Sequence, residues 1–162
     1  MAQKEETLQK LQQLGVAHEV MEHPAVYTME EMEMLGITAQ GEVCKNLFLR
    51  DAKGKRHFLV VLKEEKRADL KEIAEQIGSS KLSFASAERL MKYLKVEQGA
   101  VSPLGVLNDE THSVEVLIDS DLKDCPKVGV HPNDNTATVW MSAKDLISVI
   151  ESQGNSVTFL QL

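Results

Sequence analysis

Two apolar runs facing one another across a tight turn constrain this chain more than any other feature. Asn46-Leu47-Phe48-Leu49-Arg50 and His57-Phe58-Leu59-Val60-Val61-Leu62 flank Asp51-Ala52-Lys53-Gly54, the clearest hairpin signal in the sequence. Helical and extended patterns are arranged around it. Glu5 to Leu14 carries Leu8, Leu11 and Leu14 on one stripe, with Gly15 as the stop. Val16 to Glu22 reads as extended and is broken by His23-Pro24. Thr28 with Glu31 forms a capping box that opens a helix ended by Gly36. Beyond the hairpin, Leu70, Ile73, Ala74 and Ile77 keep a helical period up to Gly78. A second helix is expected from about Ala85 to Leu94, with Leu90, Met91 and Leu94 facing inward. Gln98 to Gly105, with two glycines and a proline, reads as a loop with little room for regular structure.

Strands are predicted at Val114 to Asp119, Val128 to Val130 and Thr136 to Met141, the last carrying the only tryptophan, Trp140. Ser142 and Asp145 cap a helix that runs to about Ser152, and Ser156 to Leu160 is a final strand. There is no repeat, low-complexity tract or linker. Mixed elements without strict alternation of strand and helix indicate one α+β domain over residues 1–162. At 162 residues the chain is long enough for a single well-formed core.

Composition narrows the class. An apolar fraction of 43% and a charged fraction of 27% exclude a disordered or collagenous chain. No apolar run approaches the ~20 residues that span a bilayer, and the polar start MAQKEETLQK has no secretory pattern. Cys44 and Cys125 cannot build a disulfide framework and neither sits in a CxxC pair, so a reducing cytoplasm is the expected location. The net charge of -7 argues against a bulk nucleic-acid binder. Its distribution is uneven: Cys44 to Lys71 holds nine Lys and Arg against four Asp and Glu, whereas the remainder holds nine against twenty-one. A basic stretch of that size can meet a few phosphates, or simply form a solvated hairpin face.

Common catalytic motifs are missing: no GxSxG, HExxH, P-loop or GxGxxG occurs, and no histidine pair has helix-face ligand spacing. No metal site and no cofactor are expected. A thiol nucleophile at Cys44, activated by the neighbouring Lys45 cation, is one alternative; a buried structural cysteine is the other. Three segments combine unusual backbone with polar side chains: Cys44 to Leu49, the GxxxP loop Gly99-Ala100-Val101-Ser102-Pro103, and the turn-rich run Gly129 to Thr136 around His131. Singly, each has a plain structural explanation as an edge-guarding lysine, an ordinary connection and a satisfied turn histidine. Together they say more.

In that order, His23-Pro24-Ala25-Val26-Tyr27-Thr28, Lys45-Asn46-Leu47-Phe48-Leu49-Arg50-Asp51, Gly99 to Gly105, and His131-Pro132 with Asn135-Thr136-Ala137-Thr138 resemble the YbaK and prolyl-tRNA synthetase editing-domain superfamily. Within it, the free-standing alanyl-tRNA(Pro) deacylases are the nearest likeness. The resemblance implies a mixed β-sheet, curved toward a barrel and packed with helices. It implies hydrolysis of the ester joining a wrong amino acid to proline tRNA, with Lys45, Asn46, Gly99 and Ser102 in catalysis. Pro103 and His131, with Lys45 and Asn46, would bind substrate. The implied partner is the acceptor end of mischarged proline tRNA, with transient contact to prolyl-tRNA synthetase or an elongation factor, no membrane, and a monomer or weak homodimer.

The chemistry can be argued further. Lysine's ordinary pKa of ~10.4 makes Lys45 a cation near neutrality, and only deep burial would make it a base. Its expected role is therefore electrostatic, on the phosphates or terminal adenosine of the acceptor end. Backbone N–H groups of Gly99 to Pro103 would stabilise the oxyanion, and water, helped by the terminal 2′-OH that the family supplies, would attack. Selection against proline is expected to be by size. Two other readings remain: a deacylase for cysteine or serine esters, and a non-catalytic aminoacyl-tRNA-binding module.

Overall fold

The computed structural model describes residues 2–162, and its strands form one eight-stranded sheet. Helix α1 (Ala2–Gln13) leads to β1 (Glu19–Glu22) and α2 (Met29–Met34). The predicted hairpin follows as β2 (Glu42–Arg50) and β3 (His57–Lys63), paired antiparallel from Cys44 opposite Lys63 to Arg50 opposite His57. Then come α3 (Leu70–Ile77), β4 (Ser83–Phe84), α4 (Ala87–Tyr93), β5 (Val114–Asp119), β6 (Val128–Val130), β7 (Ala137–Met141), α5 (Ala143–Gln153) and β8 (Val157–Leu160).

The strand order is β1-β7-β6-β2-β3-β5-β8, with β4 added to β2. Pairs β2–β6, β3–β5 and β5–β8 are parallel and the others antiparallel, so the sheet is mixed as expected. It does not close: β1 and β8 are its two ends, so the likeness to a barrel stops at curvature.

Alternation along the strands explains the layers. Cys44 and Phe48 of β2, Leu59 and Val61 of β3, Val116 and Ile118 of β5, and Val139 and Met141 of β7 share one buried cluster with Leu11, Leu94 and Ile150 from the helices. The opposite side of β3, through Phe58, Val60 and Leu62, packs on Ile73 and Ala74 of α3. That double burial is why β3 reads as an unbroken apolar run rather than an alternating one. A third, small cluster joins Val26, Met32, Ile37, Val43 and Trp140.

The caps follow the sequence. Thr28 accepts from the Glu31 N–H, Asp69 caps α3, and Ser142 accepts from the Asp145 N–H. Three expectations are corrected. Met91 is 48% exposed, because α4 turns only Leu90 and its C-cap Leu94 into the core. Leu14 is likewise 48% exposed, since α1 stops at Gln13 before its stripe reaches that position. The run Gln98 to Gly105 is not irregular but holds two 3₁₀ segments, Gln98–Ala100 and Pro103–Asn108. Proline fits the first position of such a turn, where its missing N–H costs nothing. Among the described residues no helix is long and apolar enough to cross a membrane.

Candidate functional site

Strand β2 is paired on its β6 side only through Glu42 and Val43, and it meets β4 only at Leu49 and Arg50. Between these points its edge faces no other strand. A cavity of about 210 Å³ opens there, lined by Val26, Tyr27, Thr28, Met32, Val43, Cys44, Asn46, Gln98, Gly99, Val101, Gly129, Val130, His131 and Thr138. The three segments singled out in the sequence, remote along the chain, meet at this gap.

Asn46 contributes an amide to the wall. Its Nδ2 donates to the Cys44 carbonyl at 3.4 Å, and its Oδ1 is buried without a protein partner among the described residues. A buried acceptor left unpaired is costly, and Asn46 is part of the cavity lining. His131 is held by Nδ1, which is 2.9 Å from the Ala137 carbonyl. A carbonyl can only accept, so Nδ1 carries the proton and the neutral ring keeps a lone pair on Nε2. Burial is the main force pulling the His131 pKa below its ordinary value, with His23 pushing the same way against the Ala137 carbonyl and Asp134.

His23 and Thr138 extend this polar corner. His23 Nδ1 donates to the Pro24 carbonyl at 2.8 Å, which leaves Nε2 as the acceptor for the Thr138 hydroxyl at 2.9 Å when the ring is neutral. The two histidine rings lie 6.5 Å apart. Thr138, 1% exposed, is a wall residue that falls within the segments of the resemblance but was given no role in the site. The available signal was its hydroxyl within the otherwise apolar run Ala137 to Met141.

Gly99 is closely approached by its neighbours. A Cβ there would lie 3.0 Å from Tyr27 Cε1 and 3.3 Å from Asn135 Nδ2. Its neighbours in the loop play different parts. The Ala100 N–H donates to the Glu97 carbonyl at 2.9 Å. Ser102 is fully buried and its hydroxyl accepts from the Leu104 N–H at 3.1 Å, while Pro103 is buried behind it. Neither Ser102 nor Pro103 lines the cavity.

Lys45 is also outside the lining. Strand alternation sends its side chain to the face opposite Asn46, where the ammonium donates to the Lys66 carbonyl. Cys44 does line the cavity, but as an apolar wall. Burial is the largest cause pushing its thiol pKa up, and Cys125 adds to it, so the thiolate that a nucleophile requires is disfavoured. The structure therefore brings Asn46, Gly99 and His131 together, and sets Lys45, Ser102 and Pro103 around them.

Comparison with known proteins bears on the family and the fold. Residues 23–149 match the family model described as the aminoacyl-tRNA editing domain. The prolyl-tRNA editing protein ProX of Acetoanaerobium sticklandii is 49% identical over 162 residues, covering 100% of this chain and 99% of the relative. Prolyl-tRNA synthetase associated domain-containing protein 1 of Bos taurus is 35% identical over 156 residues, covering 94% and 91%. A crystal structure described as a candidate trans-editing enzyme for prolyl tRNA synthetase superposes with a TM-score of 0.75 at 23% identity, covering 98% of this chain and 97% of the other. At that identity the last likeness speaks for the fold alone.

Proposed function

Because this chain belongs to the aminoacyl-tRNA editing domain family, we propose that it is a trans-acting deacylase that cleaves alanine from mischarged proline tRNA. The observation that carries this reading is the convergence of Asn46, Gly99 and His131 on one small cavity at the open edge of β2. The near full-length likeness to a protein named for prolyl-tRNA editing supports the choice of tRNA.

In this mechanism the aminoacyl group enters between Asn46 and His131. The α-ammonium donates to the unpaired Asn46 oxygen. Water attacks the ester carbonyl, helped by the terminal 2′-OH. The bond from the carbonyl carbon to the ribose oxygen breaks, the water oxygen stays on alanine, and a proton passes to the ribose oxygen. Gly99 and Val101, the loop residues on the wall, turn their N–H groups to the developing oxyanion; one such donor is typically worth ~10²–10³ in rate. Ser102 and Pro103 shape that loop from behind.

Lys45 lies two residues beyond Val43 on the same face of β2, ~6.8 Å along the strand, and Val43 is part of the cavity wall. Its ammonium leaves the Lys66 carbonyl to meet a phosphate or the terminal ribose. The walls Val26, Met32 and Val43 take a methyl group and exclude a pyrrolidine ring. This second sieve is needed, because a synthetase site built for proline gains only ~1–3 kcal/mol against a smaller apolar side chain.

The test is deacylation of proline tRNA esterified with alanine, cysteine, serine or proline, with enzyme far below substrate. Alanine should be released over many turnovers and proline spared. Protection of the ester without release would replace the proposal with a binding module, and preferential release of cysteine or serine would move the specificity.

A further inference from the structure

Tyr27 is 74% exposed and stands at the mouth of the cavity. It is the only Phe, Tyr or Trp among the lining residues. Exposure of this kind usually goes with a mobile side chain on a loose loop, but here the backbone on both sides is fixed. The Val26 N–H donates to the Asn135 carbonyl at 3.3 Å, and Asn135 Nδ2 donates back to the Val26 carbonyl at 3.2 Å. Val26 itself is 3% exposed. On the other side, Thr28 is tied down as the cap of α2. The ring lies against Gly99, where an added Cβ would come within 3.0 Å of Cε1 and press on it. An aromatic ring on a fixed stretch of backbone is thus left in water beside the cavity, where covering its apolar face is favourable.

We propose that Tyr27 is the stacking platform for the terminal adenine of the tRNA, a base subsite beside the ester site. This rests on the deacylase reading above and adds the nucleobase to it. One nucleotide carries both the ester, on its ribose, and the base, so with the ester in the cavity the adenine must lie at the mouth. Stacking on an aromatic ring needs only the π-face of the base, so the contact binds the tRNA end without reading its sequence. Gly99 then has two duties, an N–H toward the carbonyl and an absent side chain that leaves the tyrosine ring in place.

The test compares alanyl-tRNA(Pro) with the same ester on a tRNA whose 3′-terminal nucleotide is abasic, using wild type, Tyr27→Ala and Tyr27→Phe. In the wild type, loss of the base should lower kcat/KM by about 5- to 150-fold, the range expected of one base–aromatic stack. Tyr27→Ala should hydrolyse both substrates at similar rates, and Tyr27→Phe should restore the difference, since stacking does not need the hydroxyl. A Tyr27→Ala enzyme that still loses as much as the wild type on the abasic substrate would overturn the platform while leaving the deacylase intact. Failure of the wild type to release alanine from either substrate would overturn the deacylase reading and the platform with it.

Discussion

At the scale of single residues, the site depends on groups held in one protonation state by their surroundings. His131 is kept neutral by burial, with its Nδ1 proton spent on the Ala137 carbonyl. His57, 1% exposed, is likewise pulled below its ordinary pKa, first by burial and then by Arg89, whose Nη1 donates to its Nε2 at 3.0 Å. For a histidine whose folded pKa is depressed, the unfolded chain binds protons first. Stability is therefore complete above the unfolded value of ~6.5 and is lost as pH falls from there toward the folded value. In an NMR titration both rings should protonate below ~6.5, and kcat/KM should hold steady from pH 8 down to that region before His131 charges. Titration of His131 at or above ~6.5 would contradict its assignment as a neutral acceptor. Lys45 calls for a different measurement. Lys45→Ala should retain the folded state's thermal midpoint to within a few degrees and lose alanine release by ~10² or more, as loss of a group that positions the substrate does. Undiminished release would remove Lys45 from the mechanism.

At the scale of elements, the site is made by what the sheet leaves unpaired. Strand β2 touches β6 over only two residues, and the cavity begins where that ladder stops. The packing that sets this junction is tight. Gly129 sits directly across from Trp140, and a Cβ on it would lie 2.6 Å from Cζ3 and 2.8 Å from Cη2 of the indole. Gly129→Ala must displace the ring from its cluster with Val26, Met32, Ile37 and Val43, three of which (Val26, Met32 and Val43) also line the cavity. Overpacking of this kind costs ~1–3 kcal/mol. Urea denaturation followed by emission of the single tryptophan should show that loss together with a shifted native spectrum. An unchanged midpoint and spectrum would show that the β6–β7 junction can yield.

The hairpin and the caps at Thr28 and Ser142 were readable from the sequence because each is written in adjacent residues: a turn between two apolar runs, or a Thr three places before a Glu. The gap was not, because it depends on a parallel pairing between Glu42–Val43 and Val128–Gly129 that no local pattern announces. Gln98 to Gly105 misled for the opposite reason. Its glycines and proline look like breakers, yet Gly99 and Gly105 lie in 3₁₀ segments, packed closely on Tyr27 and Leu94, and Pro103 starts the second of these segments. Lys45 was found by resemblance, but its rotamer was beyond any sequence reading, since its partner is a backbone carbonyl 21 residues on.

At the scale of the whole molecule, a net acidic chain handles a polyanion by confining its positive charge. The carbonyl that receives Lys45 belongs to Lys66, whose own ammonium is fastened to the fully buried Asp119, to Asp121 and to the Leu162 carbonyl. One lysine of the basic stretch is thereby committed to the end of β5 and to Leu162, while Lys45 beside it bonds, among the described residues, a neutral carbonyl, which in the proposed mechanism it exchanges for a phosphate. In the proposed mechanism selectivity follows from the cavity rather than from charge, as any proline tRNA presents the same phosphates. The most direct test is a time course on one tRNA charged with alanine or with proline, substrate in large excess over wild-type protein. Alanine released well beyond one equivalent of enzyme, with the prolyl ester decaying no faster than in buffer, is the expected result. Equal hydrolysis of both esters, or release of alanine that stops at one equivalent, would contradict it.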